Sequence, residues 1–334
     1  MPLIIGLGYQ RGLLNQSGVA AMNGRIYVKL MLSAFFWGSS VVAGKYALQI
    51  YRPSEISFFR FFIAAVIMFF LVNPKKAIFV ISPRNHLRLF ILSLAGVTLC
   101  YYFSFNGLHL SSAFNTGIIE ATTPLLTLLI AVVCGMERMT FNQLAGLITA
   151  YLGIGITISN GSWQALVNAD YNSGDILILL STLCFAIYNI LTRKWQLAIP
   201  DRVFMFYFFF YGCLALLPWL ILDAGNRVAI PWYDALRPLP LFSILFMAAG
   251  GSVVAYLFFN QGISAIGVSN AASFINLVPL VTVFLSVGLL GETAGVSQWL
   301  GAVIILAGVF LANKGIAKKR GAMLLAKKPL KSLK

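Results

Sequence analysis

Glu120 is the residue whose type and position most directly suggest chemistry, because it lies inside an apolar segment long enough to cross a lipid bilayer. No residue that is charged at neutral pH occurs within sixteen positions on either side of it. An ionised carboxylate there costs about 3 kcal/mol on insertion scales, so it must face a cavity, pair with another group or stay protonated. We predict that Glu120 binds a cationic group of a solute or carries a proton. A protonated carboxyl that donates a hydrogen bond between helices is the structural alternative.

Two prolines, Pro124 and Pro279, interrupt apolar segments in the two halves of the chain. Proline cannot donate a backbone hydrogen bond and its ring clashes with the preceding turn, so each helix is predicted to kink there. In a membrane the freed carbonyl groups need water, a side chain or a ligand as partner. We predict a paired hinge near the membrane midplane. The alternative is a static kink that improves packing.

Polar side chains in other apolar segments could replace the hydration of a small solute. These side chains are Tyr101, Tyr102, Asn106, Tyr188, Asn189, Tyr256, Asn260 and Asn276. All except Tyr101 and Asn189 are predicted to bind substrate, together with Glu120 and with Trp37, whose ring suits an apolar or cationic portion. Tyr102 and Asn106 are four positions apart and share a helix face, and so do Tyr256 and Asn260. Hydrogen bonding between helices is the alternative role.

Two basic residues, Lys45 and Arg60, lie near the predicted outer ends of the first two apolar segments. One interpretation is that they reach the membrane surface and pair with Glu55. The other is an outer vestibule that handles anionic groups, such as a substrate carboxylate.

The elements that position these residues are membrane helices. The 334 residues are 60% hydrophobic and 10% charged, with mean hydropathy +0.88, whereas soluble domains carry about 25% charged residues. About 20 apolar residues cross the bilayer core. The sequence therefore predicts an all-α integral membrane protein with ten transmembrane helices, at about 27–48, 54–72, 87–109, 112–135, 141–159, 174–193, 203–222, 239–262, 267–290 and 295–313.

The chain repeats itself. Residues 112–138 resemble residues 268–293, and the shared residues keep an offset of 155. The matched pairs are Asn115/Asn270, Pro124/Pro279, Thr127/Thr282, Glu137/Glu292, Gly146/Gly301 and Gly153/Gly308. A proline-interrupted helix in both halves is typical of transporters. Since each half has an odd number of helices, we predict two inverted five-helix repeats.

Basic residues give the orientation. With the N-terminus in the cytoplasm, nineteen Lys and Arg lie inside and four outside, so both termini are predicted to be cytoplasmic. The segments are then an N-terminal cytoplasmic segment (1–26), the two repeats (27–159 and 174–313) and a basic cytoplasmic tail (314–334). The tail is predicted to lie on anionic lipids, each basic residue contributing about 1 kcal/mol.

Several other features concern packing and partners. Gly146, Gly153, Gly155, Gly301 and Gly308 predict close packing of the fifth and tenth helices, within a scaffold or in a homodimer. Glu137 and Glu292 are expected to cap the next helix or to pair with a neighbour. The sequence has no P-loop and no metal-ligand spacing, so no cofactor or metal is expected. Its basic residues flank apolar segments, which argues against nucleic acid as a partner.

Three motifs resemble the EamA-type branch of the drug/metabolite transporter superfamily. They are WGSSVVAGKYAL, PSEISFFRFF and the duplicated pattern of Pro, Glu and GxxxxxxG in helices four–five and nine–ten. The resemblance implies a ten-helix carrier in the bacterial inner membrane, commonly an exporter of amino acids or other small metabolites. Residues similar to the family pattern stand at Trp37, Lys45, Arg60, Pro124 and Glu137. Glu120 departs from that pattern, which has uncharged residues there.

We therefore expect a secondary transporter that exports small metabolites such as amino acids by alternating access. A proton-coupled exporter of multiple drugs or cationic compounds is the alternative. An enzyme is not expected, because the two histidines and the single carboxyl deep in a membrane segment form no catalytic constellation. A channel is disfavoured by the internal repeat.

Overall fold

A computed structural model describes residues 16–72, 81–136, 139–162, 164, 172–225, 236–266, 271 and 273–326. The predicted N-terminal segment, the end of the basic tail, Glu137 and Asn270 fall wholly or partly outside these residues. The described residues form ten helices. They are α1 (Gln16–Ala47), α2 (Pro53–Leu71), α3 (Pro83–Leu110), α4 (Ala113–Val133), α5 (Phe141–Ile158), α6 (Ser173–Trp195), α7 (Asp201–Gly225), α8 (Pro238–Ile263), α9 (Phe274–Leu290) and α10 (Val296–Ala326).

Eight of these helices, α1 to α8, contain segments long and apolar enough to cross a membrane. Two shorter apolar helices follow, Phe274–Leu290 and Val296–Leu311. Large apolar side chains are exposed on the bundle surface, among them Val133, Phe284 and Val303. In an integral membrane protein such side chains face lipid, because the hydrocarbon core is as apolar as they are.

The fourth helix is broken immediately before its proline. Helix α4a (Ala113–Glu120) ends in a turn, and α4b begins at Thr123, so Pro124 occupies its first turn. The carbonyl of Glu120, which has no N–H partner at Pro124, accepts a hydrogen bond from the Thr123 hydroxyl at 2.7 Å. The freed carbonyl was predicted to need water, a side chain or a ligand as its partner, and the Thr123 side chain is that partner.

The ninth helix has a similar irregularity. A 3-10 turn, Ser273–Asn276, precedes the α-helix Leu277–Leu290, and Pro279 lies in the first turn of that helix. The two prolines have different surroundings, since Pro279 is buried and Pro124 is exposed.

The third and eighth helices each contain a π-helical segment that the sequence analysis did not predict. The segments are Leu94–Leu99 in α3 and Met247–Val254 in α8. Both occupy the middle of the third helix of their half. Such segments leave the regular hydrogen-bond ladder and are frequent at functional sites.

The helices pack in a pattern that pairs the two halves. The principal neighbours are α1 with α8 and α9, α6 with α3 and α4, α2 with α7, and α5 with α10. Glycines permit the contact between α5 and α10, because a Cβ on Gly301 would lie only 2.9 Å from the carbonyl oxygen of Gly153. The predicted glycine face thus packs within the chain, although a Cβ at Gly155 would meet no neighbour.

Contacts between loops define two ends of the bundle. At the Lys45 end, the start of α2 meets the end of α7, where Arg52 donates to the Asp223 carbonyl. The Tyr46 hydroxyl there donates to the carbonyl of Leu289, at the end of α9. At the opposite end, named the Arg202 end, Arg202 at the start of α7 donates to the carbonyl of Leu71.

Candidate functional site

Arg60 of α2 is buried in the centre of the bundle, with a side chain 3% exposed. Its Nε donates a hydrogen bond of 2.9 Å to the Ser252 hydroxyl in the π-helical segment of α8. The guanidinium carbon lies 4.6 Å from the ring centroid of Tyr101, which gives a cation–π contact. Within the described residues no hydrogen bond or ion pair engages its terminal nitrogens, and Glu55 is not its partner.

Glu120 is the last residue of α4a and is half-buried. One carboxyl oxygen, Oε1, accepts a hydrogen bond from the Ser104 hydroxyl of α3 at 3.2 Å. No hydrogen bond or ion pair to Oε2 is found within the described residues. A carboxylate with one unbonded oxygen can still accept hydrogen bonds from a ligand.

Arg60 and Glu120 approach the same stretch of α3. Tyr101 contacts Arg60 and Ser104 contacts Glu120, and residues three positions apart on a helix are neighbours on one face. The two residues form no ion pair with each other in the described part of the chain. We call the group of Arg60, Tyr101, Ser104, Glu120 and Tyr256 the central site.

Tyr256 of α8 lies near Tyr101 in the central site. The ring of Trp37 meets it edge-on at 5.3 Å between centroids, and Trp37 also contacts Phe259 at 5.2 Å. Trp37 is half-buried and thus lies at the aromatic boundary of the central site.

A cavity of about 230 Å³ extends from Tyr256 toward the Arg202 end of the bundle. Two further residues that the sequence analysis predicted line it, Tyr188 of α6 and Asn260 of α8. Asn260 lies 3.9 Å from the sulfur of Met205, and Tyr188 packs on Phe208 at 5.0 Å. The other lining residues are Leu92, Thr192, Gln196, Leu197, Ile199, Asp201, Phe204, Met205 and Phe208.

Other predicted binding residues lie elsewhere. Tyr102 stacks on Trp219 of α7 with centroids 3.9 Å apart, and Asn106 donates to the Tyr102 carbonyl at 2.7 Å. These two residues share a face of α3 that is turned away from Ser104, so the structure does not bring them to Glu120. Asn276 is half-buried just before the α-helical part of α9, and its side chain caps no backbone N–H.

Glu292 holds the Lys45 end together. Its carboxylate accepts hydrogen bonds from the backbone N–H groups of Ala113 at 2.8 Å and Phe114 at 2.9 Å. Of the two expected roles, capping the next helix or pairing with a neighbour, Glu292 thus has a form of the second, because it caps the neighbouring helix α4a in the other half of the chain. A carboxylate is favoured there because the free N–H groups carry partial positive charge.

A buried polar network continues this contact. Asp175 of α6, 1% exposed, accepts hydrogen bonds from the Ser111 hydroxyl and from the Asn115 amide, and the Asn115 oxygen accepts one from Gln298. Lys45 donates to the Ser111 carbonyl, with Glu292 near enough to attract its charge. Lys45 thus contributes to a closed contact between helices of both halves rather than to an open vestibule.

Sequence reasoning missed Ser104, Ser252 and Asp175. Serine is common in membrane helices, and nothing in the local sequence shows which serine faces a charged residue. Asp175 could have been identified from the sequence, because an acidic residue in the first turn of an apolar helix needs a partner.

Comparisons with known proteins agree with this architecture. A profile of the EamA-like transporter family matches the chain twice, over residues 24–159 and 172–314. The "Uncharacterized transporter YyaM" of Bacillus subtilis (strain 168) is 29% identical over 290 residues, which cover 86% of this chain and 93% of that protein.

Two further matches bear on function and fold. A protein of Salmonella typhimurium described as a "Probable amino-acid metabolite efflux pump" is 23% identical over 300 residues, covering 87% of this chain and 96% of its own length. A solved crystal structure with a TM-score of 0.60 and 15% identity covers 86% of this chain and 96% of its own. At that identity the likeness shows a shared fold alone.

Proposed function

Since this chain belongs to the EamA-like transporter family, we propose that it is a secondary transporter that exports small metabolites, with amino acids as the first candidates. The Salmonella relative supports this choice through its name. The protein is an integral membrane protein, and we place it in the bacterial inner membrane with both termini in the cytoplasm. The activity is transport rather than catalysis.

The observation that best supports the proposal is that Glu120 and Arg60 contact the same stretch of α3 while Oε2 of Glu120 and the terminal nitrogens of Arg60 have no hydrogen-bond partner within the described residues. Charged groups inside a membrane protein mark solute pathways, because their cost in a bilayer is otherwise uncompensated. Neither group is neutralised by an ion pair within the described residues. A polar solute that bound there would supply the missing partners.

An inverted repeat is the architecture we propose for this transporter. Each helix of the first half corresponds to the helix five later in the second half, for example α1 to α6. Exchanging the members of each such pair turns the contacts of α1 with α8 and α9 into those of α6 with α3 and α4. The same exchange maps α2–α7 and α5–α10 onto themselves. The matching π-helical segments, and the irregular turns that precede Pro124 and Pro279, support it further.

We propose that transport occurs by alternating access, because one end of the bundle has a cavity and the other is closed by hydrogen bonds. The cavity leads from Tyr256 to the Arg202 end, whereas hydrogen bonds of Glu292 and Asp175 join helices at the Lys45 end. In our proposal the solute enters at the Arg202 end, which faces the cytoplasm. Rocking of the halves about the breaks before Pro124 and Pro279 then separates the Lys45 contacts and releases it.

Transport by Glu120→Gln protein in reconstituted vesicles tests the proposal. The isosteric amide removes the charge, so we expect uptake to be abolished or to lose its dependence on pH. Glu55→Gln is a matched control, since Glu55 is also buried but its carboxylate accepts a bond from the Arg52 backbone N–H. Wild-type rates and wild-type pH dependence in Glu120→Gln would remove this residue from the mechanism.

A proton-coupled exporter of cationic compounds is the second candidate, and aromatic side chains favour it. Trp37, Tyr188, Phe208 and Tyr256 surround the inner part of the cavity or its boundary, and such rings bind lipophilic cations. In this case ethidium efflux would depend on an inward proton gradient and on Glu120, while amino acids would not compete.

A further inference from the structure

We propose that the central site recognises a zwitterion, with Arg60 binding the carboxylate and Glu120 binding the ammonium group of an α-amino acid. This inference rests on the proposed function and names the substrate class of the same site. It makes one prediction that transport alone does not, namely that both charges of the solute are required.

Arg60 is held in a fixed orientation but lacks an acceptor for its terminal nitrogens within the described ranges. Its Nε is bonded to Ser252 and its plane is held against Tyr101, so the orientation of the guanidinium is fixed from two sides. The terminal nitrogens remain without a hydrogen-bond acceptor among the described residues. A carboxylate fits such a pair of nitrogens, because its two oxygens accept two parallel hydrogen bonds.

The guanidinium of Arg60 is closely surrounded on the side of α8. The π-helical segment of α8 approaches it through Gly251, where an added Cβ would lie 3.2 Å from Nη2. The same Cβ would lie 2.1 Å from the Ser40 hydroxyl, so glycine at this position lets the α8 backbone and the Ser40 side chain pack close to the guanidinium without an acidic partner among the residues that the structure describes. A buried guanidinium that lacks a negative partner is unfavourable, and a bound carboxylate would remove that cost.

Glu120 and Arg60 contact the same face of α3. The partners Ser104 and Tyr101 lie one helical turn apart on α3, so the two charges face one region of the bundle. Oε2 of Glu120 is available to an ammonium group within the described structure. Both charged groups of an α-amino acid are bonded to one carbon, so one solute can present a carboxylate to Arg60 and an ammonium group to Glu120 in the same region of the bundle.

The same geometry discriminates against a simple cation. A lipophilic cation at Glu120 would leave Arg60 unpaired and would be repelled by it, since the two like charges would share one poorly solvated region. An anion without an ammonium group would leave Glu120 unpaired. Neither class satisfies both residues.

The test is a substrate panel with purified wild-type protein in vesicles, combined with binding measured by ligand-induced thermal shift in detergent. The panel contains the protein amino acids, their amides, which lack the carboxylate, and their N-acetyl derivatives, which lack the ammonium group. We expect the best amino acid to be preferred over both derivatives by about 10-fold or more, the usual effect of losing a charged hydrogen-bond partner.

Variants assign the two charges to residues. Arg60→Gln should lose the preference for the acid over the amide, and Glu120→Gln the preference for the free amine over the N-acetyl compound. Arg88→Gln is the matched control, because Arg88 also contacts an aromatic ring, Trp195, but lies outside the central site. It should retain both preferences.

Two results would overturn the inference in distinguishable ways. Equal transport of an amino acid and its amide by the wild-type protein contradicts the zwitterion site and leaves the transporter proposal standing. If no compound in the panel binds or is transported, the zwitterion site and the choice of amino acids as substrates are both contradicted, and ethidium efflux then tests the second candidate function. The wild-type panel decides this even if a variant fails to fold.

Discussion

At the scale of single residues, the account depends on side chains that keep polar atoms free inside a membrane protein. Glu120 was predictable from sequence, because a carboxyl in a long apolar segment is costly wherever the helix packs. Its partner Ser104 and the facing Arg60 were not predictable, since their relation depends on which helices are neighbours. Arg60 was expected to pair with Glu55 or to line a vestibule, and it instead contacts Tyr101 and Ser252.

The duplicated tyrosines give a prediction at this scale. Tyr256 lines the cavity whereas Tyr102 stacks on Trp219, so the sequence repeat does not imply the same role. Tyr256→Ala should reduce transport about 10-fold or more by removing ring contacts at the central site. Tyr102→Ala is the matched control and should mainly lower thermal stability. Equal transport losses in both variants, at equal stability, would contradict this assignment.

At the scale of elements, the proposed conformational change takes place at irregular segments within the helices. The prolines predicted the positions of the breaks in α4 and α9, because loss of one N–H and a steric clash are local effects. The π-helical segments of α3 and α8 were not predicted. Their sequences, LAGVTL and MAAGGSVV, are compatible with an ordinary membrane helix, and packing in the bundle decides their conformation.

A proline substitution tests the hinge. Pro124→Ala restores an N–H that can bond to the Glu120 carbonyl, so α4 should become more continuous and the conformational change slower. We expect the maximal rate of transport to fall several-fold while the substrate affinity, measured by thermal shift, stays near the wild-type value. Pro218→Ala removes a proline from the interior of α7 and is the matched control. Unchanged turnover in Pro124→Ala would indicate a static kink.

At the scale of the whole molecule, hydropathy predicted the helices and basic residues predicted an orientation. The bounds of α1 to α8 agree with the predicted spans to within a few residues for most ends, because length and polarity are set by the bilayer. Helix pairing could be anticipated only for α5 and α10, where glycines permit close approach. The network of Asp175 and Glu292 joins residues between 60 and 183 positions apart, which no local pattern reveals.

Packing of α5 against α10 gives a stability prediction. Gly301→Val should destabilise the protein by about 1–3 kcal/mol, because its Cβ would press on the backbone of Gly153 and overpacking costs this much. Gly155→Val is the matched control, since a Cβ there meets nothing within 4 Å. The difference between the two melting temperatures in detergent measures the effect. Equal melting temperatures would mean that this contact is not tight.

The most direct test of alternating access is labelling of a single cysteine at the central site from each side of the membrane. In a Tyr256→Cys protein that lacks the four native cysteines, an impermeant thiol reagent should react readily from the Arg202 side. From the Lys45 side it should react slowly, and Glu292→Gln should accelerate that reaction by weakening the cap on α4a. Labelling from the Lys45 side that never occurs, or that equals the Arg202 side regardless of Glu292, would contradict the account.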